Sequence, residues 1–174
     1  MEKQNIYQDI SARTGGEIYL GVVGPVRSGK STFIKRFMEL LVLPEIKDEN
    51  ERKRTMDELP QSGTGKMVMT TEPKFIPKEA AELPMEDMKI KIRLIDCVGF
   101  MIPGAGGNLE NGQERLVKTP WFDYEVPFTK AAEFGTRKVI RDHSTIGILV
   151  TADGSFGEIP RDSYVEKENS CRIK

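Results

Sequence analysis

The chain has 174 residues, a net charge of −1 and 30% charged residues of both signs. This length suits one domain with a sizeable core, and the balanced charge argues against a broad nucleic-acid-binding surface. The first ten residues lack an apolar signal segment, no apolar run approaches membrane-spanning length, and two cysteines are too few for a disulfide framework or a zinc site. A soluble cytoplasmic protein without a transmembrane segment is therefore expected.

The first half of the chain alternates between helical and extended patterns. Residues 1–16 predict a short helix that ends at a Gly-Gly pair, and the apolar run at 17–24 predicts a buried strand. Apolar residues recur at helical spacing over 31–42, after which a proline closes the helix. Residues 45–66 are charged and then Gly-rich, which is typical of a solvated, partly helical segment that becomes a mobile loop. Residues 73–77 predict a brief strand.

The second half continues the alternation. Residues 88–96 alternate apolar and charged side chains, which predicts a strand with an apolar end. Residues 100–114 hold too many glycines for regular structure. Residues 128–143 predict a helix that Gly135 weakens, and 145–151 predict another buried strand. Strands that alternate with helices predict an α/β fold with a mostly parallel sheet and flanking helices.

The stretch GVVGPVRSGKST, residues 21–32, matches the phosphate-binding pattern G-x-x-x-x-G-K-[ST]. Its glycines let successive backbone N–H groups point at phosphate oxygens, and the following helix adds the positive end of its dipole. The strand before the loop and the helix after it supply the context that the motif requires. Lys30 would reach the β- and γ-phosphates, and the Ser31 hydroxyl would ligate Mg²⁺. The predicted nucleotide-binding residues are Gly24, Pro25, Val26, Arg27, Ser28, Gly29, Lys30, Ser31, Thr32 and, from the next motif, Gly99.

Two further motifs follow the phosphate-binding loop. Asp96 to Gly99 form D-x-x-G at the end of a predicted strand, where the carboxylate holds Mg²⁺ and the glycine N–H senses the γ-phosphate. Between the two motifs, Thr70 or Thr71 is the candidate for the threonine that closes on Mg²⁺ in switch-type hydrolases, and the choice stays open. The predicted catalytic residues are Lys30, Asp96, Thr70 and Thr71, and the predicted metal ligands are Ser31, Asp96, Thr70 and Thr71.

The order and spacing of the three motifs are typical of the translation-factor-related branch of P-loop nucleotide hydrolases. That kinship implies the strand order 2-3-1-4, with the site at the carboxyl ends of the strands. Two expected signatures are missing. Phe100 stands where many GTPases place a water-orienting glutamine, so hydrolysis is slow or uses Gln113, Glu114, a backbone group or a neighbouring subunit. No N-K-x-D guanine reader is present, so guanine specificity is unsupported and ATP remains open.

Four stretches carry a specific resemblance: GEIYLGVVGPVRSGKSTFIKRFMELLVLP, LPQSGTGKMVMTTEPKFIP, IRLIDCVGFMIPGA and FGTRKVIRDHSTIGILVTADGS. They resemble the N-terminal domain of the stage IV sporulation protein A family, the spore-coat morphogenetic ATPases of endospore-forming bacteria. The resemblance covers roughly residues 1–165. It implies a P-loop fold that uses ATP with Mg²⁺, in which Lys30, Ser31, Asp96 and Thr70 or Thr71 match the family's motif positions.

The resemblance also implies a cellular role. Family members assemble into an ATP-driven, static polymer in the mother cell, on the cytoplasmic side of the outer forespore membrane. There they recruit spore-coat proteins and are anchored through a small amphipathic membrane peptide. No nucleic acid is implied. Two alternatives remain at this point: a GTPase-like switch in ribosome or RNA biology, and a scaffold that nucleotide stabilises with little turnover.

The end of the chain departs from the family pattern. Residues 169–174 form an atypical tail, which we interpret as truncated or out of frame, and residues 1–168 are then a partial P-loop ATPase domain. Such a domain lacks its last strands, and the strand at 145–151 is expected to have an unpaired edge.

Three conspicuous side chains are assigned structural roles. Cys97 is interpreted as a small buried residue, because no nearby base is evident. His143 is expected to end a helix just before a strand. Trp121 and its aromatic neighbours are expected to pack in the core or on a hairpin, although they would also suit a contact surface.

Overall fold

The computed structural model describes residues 14–60, 71–85, 88–102 and 107–152. Three predictions lie outside the described residues: most of the N-terminal helix, the Gly-rich residues 61–70 with Thr70, and everything after residue 152. The expectations for those segments, the tail among them, stay predictions.

The described elements follow the predicted alternation. The strands are β1 (Glu17–Val23), β2 (Lys74–Met85), β3 (Met88–Asp96), β4 (Leu109–Glu110), β5 (Gln113–Glu114), β6 (Leu116–Thr119), β7 (Phe122–Pro127) and β8 (Ile146–Leu149). The helices are α1 (Lys30–Phe37), α2 (Glu49–Asp57) and α3 (Phe128–Lys138), and π-helical turns over Met38–Val42 and Val139–His143 continue α1 and α3. A 3₁₀ turn over Leu43–Glu45 follows the first of these. The predicted strands β1, β3 and β8 and the predicted helices α1 and α3 are confirmed. The prediction that β8 is buried is wrong: Ile146 and Leu149 are exposed, because β8 is the outermost strand of the described sheet.

Four strands form the main sheet in the order β2-β3-β1-β8. Because β8 is the fourth of them along the chain, the expected order 2-3-1-4 is confirmed. β1 pairs in parallel with β3 and β8, whereas β2 pairs antiparallel with β3, so the sheet is mixed. Only two residues separate Met85 at the end of β2 from Met88 at the start of β3. A parallel crossover needs about a dozen residues, so this connection imposes antiparallel pairing.

The predicted strand at 73–77 is longer than expected. It is β2, which extends over Lys74–Met85. Its register slips between Ile76 and Ala81, where the chain bulges away from β3. Pro77 and the charged residues after it resemble a loop in the sequence. An edge strand tolerates both, because its outer side makes no ladder hydrogen bonds.

The apolar core lies on both faces of the main sheet. Alternate residues of β1 point to opposite faces, so Val22 packs with Ile34 and Met38 of the α1 side. Val23 packs on the other face with Val139, which follows α3. All five are at most 5% exposed, and each buried apolar side chain contributes about 1.5–3 kcal/mol to folding. The two layers fix α1 and α3 against the sheet.

Two small hairpins connect β3 to α3. β4 pairs with β5 and β6 pairs with β7, both antiparallel. The first hairpin corrects the prediction that residues 100–114 hold no regular structure. Asn111 (φ 52°) and Gly112 (φ 79°) both adopt the left-handed conformation that a two-residue hairpin turn requires.

Candidate nucleotide-binding site

The loop between β1 and α1 has the curled backbone that its glycines predict. Gly24, Arg27 and Gly29 have φ values of 142°, 64° and 94°. Gly29 precedes α1, and no side chain caps the first amides of that helix. Amides left uncapped at a helix start, together with a curled loop, form a site for an anion.

Gly24 is the point at which three segments meet. Phe100 N donates to Gly24 O (3.1 Å), and Val26 N donates to Phe100 O (2.8 Å). A Cβ on Gly24 would collide with the carbonyl oxygen of Val150, just after β8. Only glycine fits there. Val150 is not among the predicted site residues, although its position at the end of a predicted strand was an available signal.

The side chain of Lys30 lies between the two motifs. It is 5% exposed, and its Nζ donates a 2.6 Å hydrogen bond to the carbonyl of Pro25. A Cβ on Gly99 would lie 2.6 Å from Lys30 Nζ and would collide with the carbonyl of Gly24. The structure therefore brings the glycine of D-x-x-G directly against the lysine of the loop.

Ser31 and Asp96 are also brought together. Ser31 Oγ donates to Asp96 Oδ2 at 3.0 Å, and Asp96 Oδ1 is buried without a hydrogen-bond partner. Burial raises the pKa of Asp96 above the usual carboxyl value, against the opposing effects of the Ser31 hydrogen bond and the Lys30 charge. The Oγ of Ser28, in the loop, is likewise buried without a partner.

This pair of oxygen groups fits a magnesium ion. Mg²⁺ prefers hard oxygen ligands and is usually held by one or two protein groups, with water and substrate phosphates completing its shell. A carboxylate oxygen without a partner beside a hydroxyl meets that description. Among the described residues, no group of three or more histidine, cysteine, aspartate and glutamate side chains forms a metal cage. Ser31 and Asp96 are thus the residues that could hold the ion.

A family model described as "Stage IV sporulation protein A, ATPase domain" matches residues 1–173. The chain belongs to the stage IV sporulation protein A family. It is 55% identical over 169 residues to the stage IV sporulation protein A of Bacillus anthracis and 56% identical over 169 residues to that of Bacillus subtilis (strain 168), covering 97% of this chain. Over 165 residues, 94% of the chain, it is 58% identical to that of Clostridioides difficile (strain 630).

The chain spans 34% of the length of each of these relatives. No solved structure matches it. Within the part of the chain that the structure describes, no helix is both long and apolar enough to span a bilayer. The matched region is thus the ATPase domain of a sporulation protein family.

Thr71 lies at the same end of the sheet as Asp96. Thr71 is 6% exposed and stands three residues before Lys74, which pairs with Asp96 across β2 and β3. Thr70 lies outside the described residues, so the choice between the two hydroxyls stays open. Two of the predicted binding residues, Arg27 of the loop and Thr32 of α1, are exposed.

No water-orienting side chain replaces the missing glutamine among the described residues next to Gly99. Phe100 is 4% exposed, and its backbone is hydrogen-bonded to the loop on both sides. Gln113 and Glu114 lie on the exposed hairpin β4–β5, and Glu114 Oε1 accepts a 3.0 Å hydrogen bond from Thr129 N at the start of α3. Glu114 therefore already has a structural contact, with the start of α3.

The remaining predictions for single residues concern positions off the site. Cys97 is buried, its Sγ donates to Val22 O at 3.5 Å, and burial raises the pKa of its thiol. His143 ends the helical turn that follows α3, as expected. Its ring packs edge-on against Phe75, with the two ring centres 5.7 Å apart. A cleft of about 530 Å³ lies beside His143 and Tyr19, away from the loop.

Proposed function

We propose that the chain is a P-loop nucleotide hydrolase of the translation-factor-related type, which binds ATP with Mg²⁺ and hydrolyses it slowly. The observation that carries this proposal is the convergence of Lys30, Gly99 and the Ser31–Asp96 pair beside one anion-binding loop. The strand order β2-β3-β1-β8 and the family's ATPase domain support it.

Each group has a separate task in this proposal. The loop amides hold the phosphates, and Lys30 Nζ places a full positive charge against the β- and γ-phosphates. Gly99 N–H contacts the γ-phosphate from the other side, and Thr70 or Thr71 approaches it from the segment before β2. Ser31 and Asp96 would hold Mg²⁺, which would supply positive charge to offset the negative charge that builds up on the phosphate oxygens.

Slow turnover follows from Phe100. A buried phenyl ring can neither donate nor accept a proton, so the attacking water lacks the partner that a glutamine supplies in faster enzymes. The same observation favours a second candidate function, a scaffold that binds nucleotide and turns over little. ATP is the proposed nucleotide in both, because the family model that matches the chain describes an ATPase domain.

In the cell, we infer a role in spore-coat assembly. The family's sporulation role and ATPase domain support the inference. ATP use by this domain drives self-assembly of the coat basement layer in the mother cell, at the outer forespore membrane surface. The partners are further copies of the protein, spore-coat proteins and a small amphipathic membrane-anchoring peptide. A fluorescent fusion should outline the forespore in sporulating cells, and diffuse mother-cell fluorescence would contradict this role.

Asp96→Asn tests the enzymatic proposal by separating binding from hydrolysis. Asparagine keeps the shape and the acceptor for Ser31, but it removes the charge that holds the metal. We expect ATP binding to persist and the rate of phosphate release to fall about 100-fold or more, since metal charge stabilisation amounts to several kcal/mol. Removing a buried charge should also raise the melting temperature of the nucleotide-free chain.

Asp142→Asn is the matched control for this experiment. Asp142 is an exposed aspartate that pairs with Lys138 at 3.0 Å, away from the loop. This variant should keep the wild-type rate of phosphate release. Near-normal release by Asp96→Asn at saturating Mg²⁺ would show that the metal-holding carboxylate lies elsewhere.

A further inference from the structure

Gly135, in the middle of α3, is buried against two other parts of the chain. A Cβ on Gly135 would lie 2.8 Å from the backbone carbonyl oxygen of Thr71 and 2.9 Å from Cη2 of Trp121. Both distances are shorter than side chains tolerate. Because Gly135 has a helical backbone, glycine is needed there for space and not for an unusual backbone conformation. This need for space outweighs the low helix propensity of glycine.

The helix itself cannot yield to relieve such a contact. The face of α3 toward the core consists of side chains that are 0–1% exposed: Phe128, Ala131, Ala132 and Thr136. Tightly packed interiors transmit a small displacement instead of absorbing it. A larger residue at 135 would therefore move the Thr71 backbone or the Trp121 ring, and not α3.

The contact between Gly135 and the Thr71 carbonyl lies at the end of the sheet where Asp96 and the phosphate-binding loop are found. Lys74, three residues further along the chain, pairs with Asp96, and its charge acts on the Asp96 carboxyl. The antiparallel direction of β2 places the residues before Lys74 beyond the end of β3, where the loop and D-x-x-G also lie. The α3 surface at Gly135 is thus the support on which this segment rests.

We propose that Gly135 is a positioning residue of the ATPase site. It lets the Thr71 backbone rest directly on α3, and this contact sets how closely the candidate sensor threonine approaches the γ-phosphate. Trp121, in the turn between β6 and β7, lies against the same glycine, so Gly135 is close to both the hairpin and the Thr71 segment. This inference rests on the proposed ATPase function and adds a residue that no motif contains.

Gly135→Ala in the full chain tests the proposal, with Gly147→Ala as its control. A Cβ on Gly147 meets nothing within 4 Å. We expect Gly135→Ala to keep its affinity for ATP with Mg²⁺, because Lys30 and the loop are untouched, and to lose about 10- to 100-fold in kcat, as small misplacements of reacting groups do. Gly147→Ala should match the wild type. An unchanged kcat in Gly135→Ala would overturn the inference.

A double variant distinguishes the contact with the Thr71 carbonyl from the contact with the Trp121 ring. It also keeps the proposal testable if Gly135→Ala alone folds poorly. In Trp121→Leu with Gly135→Ala the indole ring is absent, but the Thr71 carbonyl remains. A low kcat in the folded double variant supports the inference, and recovery of the wild-type kcat overturns it. If the wild type itself neither binds nor hydrolyses ATP, the proposed function fails before Gly135 is at issue.

Trp121 also gives a measurement that needs no variant. It is the only tryptophan of the chain. Because its ring and the Thr71 carbonyl both lie against Gly135, adding ATP with Mg²⁺ to the wild type should change its fluorescence, and ATP without Mg²⁺ should change it less. Fluorescence that stays unchanged when ATP and Mg²⁺ bind would contradict the coupling between Thr71 and Gly135.

Discussion

Lys30→Ala is expected to abolish productive nucleotide use. Lys30 Nζ is the buried positive charge of the loop, and it lies against both Pro25 O and Gly99. Hydrogen bonds to charged groups contribute about 1.5–3 kcal/mol, so ATP affinity should fall about 10- to 100-fold. Phosphate release should fall further, because the developing charge on the γ-phosphate also loses its partner. Titration calorimetry and a phosphate assay measure the two effects.

Lys35→Ala is the control for this change. Lys35 is in the same helix, is partly exposed, and its Nζ lies 3.9 Å from Glu39. Exposed ion pairs of this kind contribute about 0.2–1 kcal/mol, so affinity and rate should stay near the wild type. Equal ATP affinity in Lys30→Ala and Lys35→Ala would reject the assignment of Lys30 to the phosphates.

Gly99→Ala should weaken ATP binding at least as much as the loss of Lys30. Its new Cβ would meet Lys30 Nζ at 2.6 Å and the Gly24 carbonyl closer still, so the lysine and the loop must both shift. We expect loss of measurable ATP binding and a lower free energy of unfolding. Denaturant titration of the nucleotide-free variant measures the second effect.

Gly112→Ala separates crowding from backbone strain. Gly99 (φ 92°) and Gly112 (φ 79°) both have left-handed backbones, but a Cβ on Gly112 meets nothing within 4 Å. Left-handed conformation alone costs an ordinary residue about 1–2 kcal/mol, so Gly112→Ala should lose that amount and keep ATP binding. A Gly99→Ala variant that behaves like Gly112→Ala would mean that the two motifs do not meet as described.

The site was more predictable from sequence than the elements around it. Motif spacing identifies Lys30, Ser31, Asp96 and Gly99, because phosphate and metal chemistry fix both residue type and distance along the chain. The apolar patterns of β1 and β3 likewise report burial on the sheet. These features are local, or follow from one short motif each.

The missed features depend on contacts distant in sequence or on one overlooked turn. The second half of β2 is polar and contains Pro77, and only its place at the edge of the sheet makes it a strand. The Asn111-Gly112 pair was a direct hairpin signal that the surrounding glycines obscured. From the sequence, Gly135 only predicts a weaker helix. The structure shows that Thr71 and Trp121 pack against it and leave no room for a side chain.

The most direct test of the proposed function is phosphate release from ATP by the full chain, with and without Mg²⁺, in the wild type and in Lys30→Ala. We expect slow release by the wild type that requires Mg²⁺ and is lost in the variant. Equal release by both proteins, or release that does not depend on Mg²⁺, would contradict the claim that this loop binds ATP for hydrolysis.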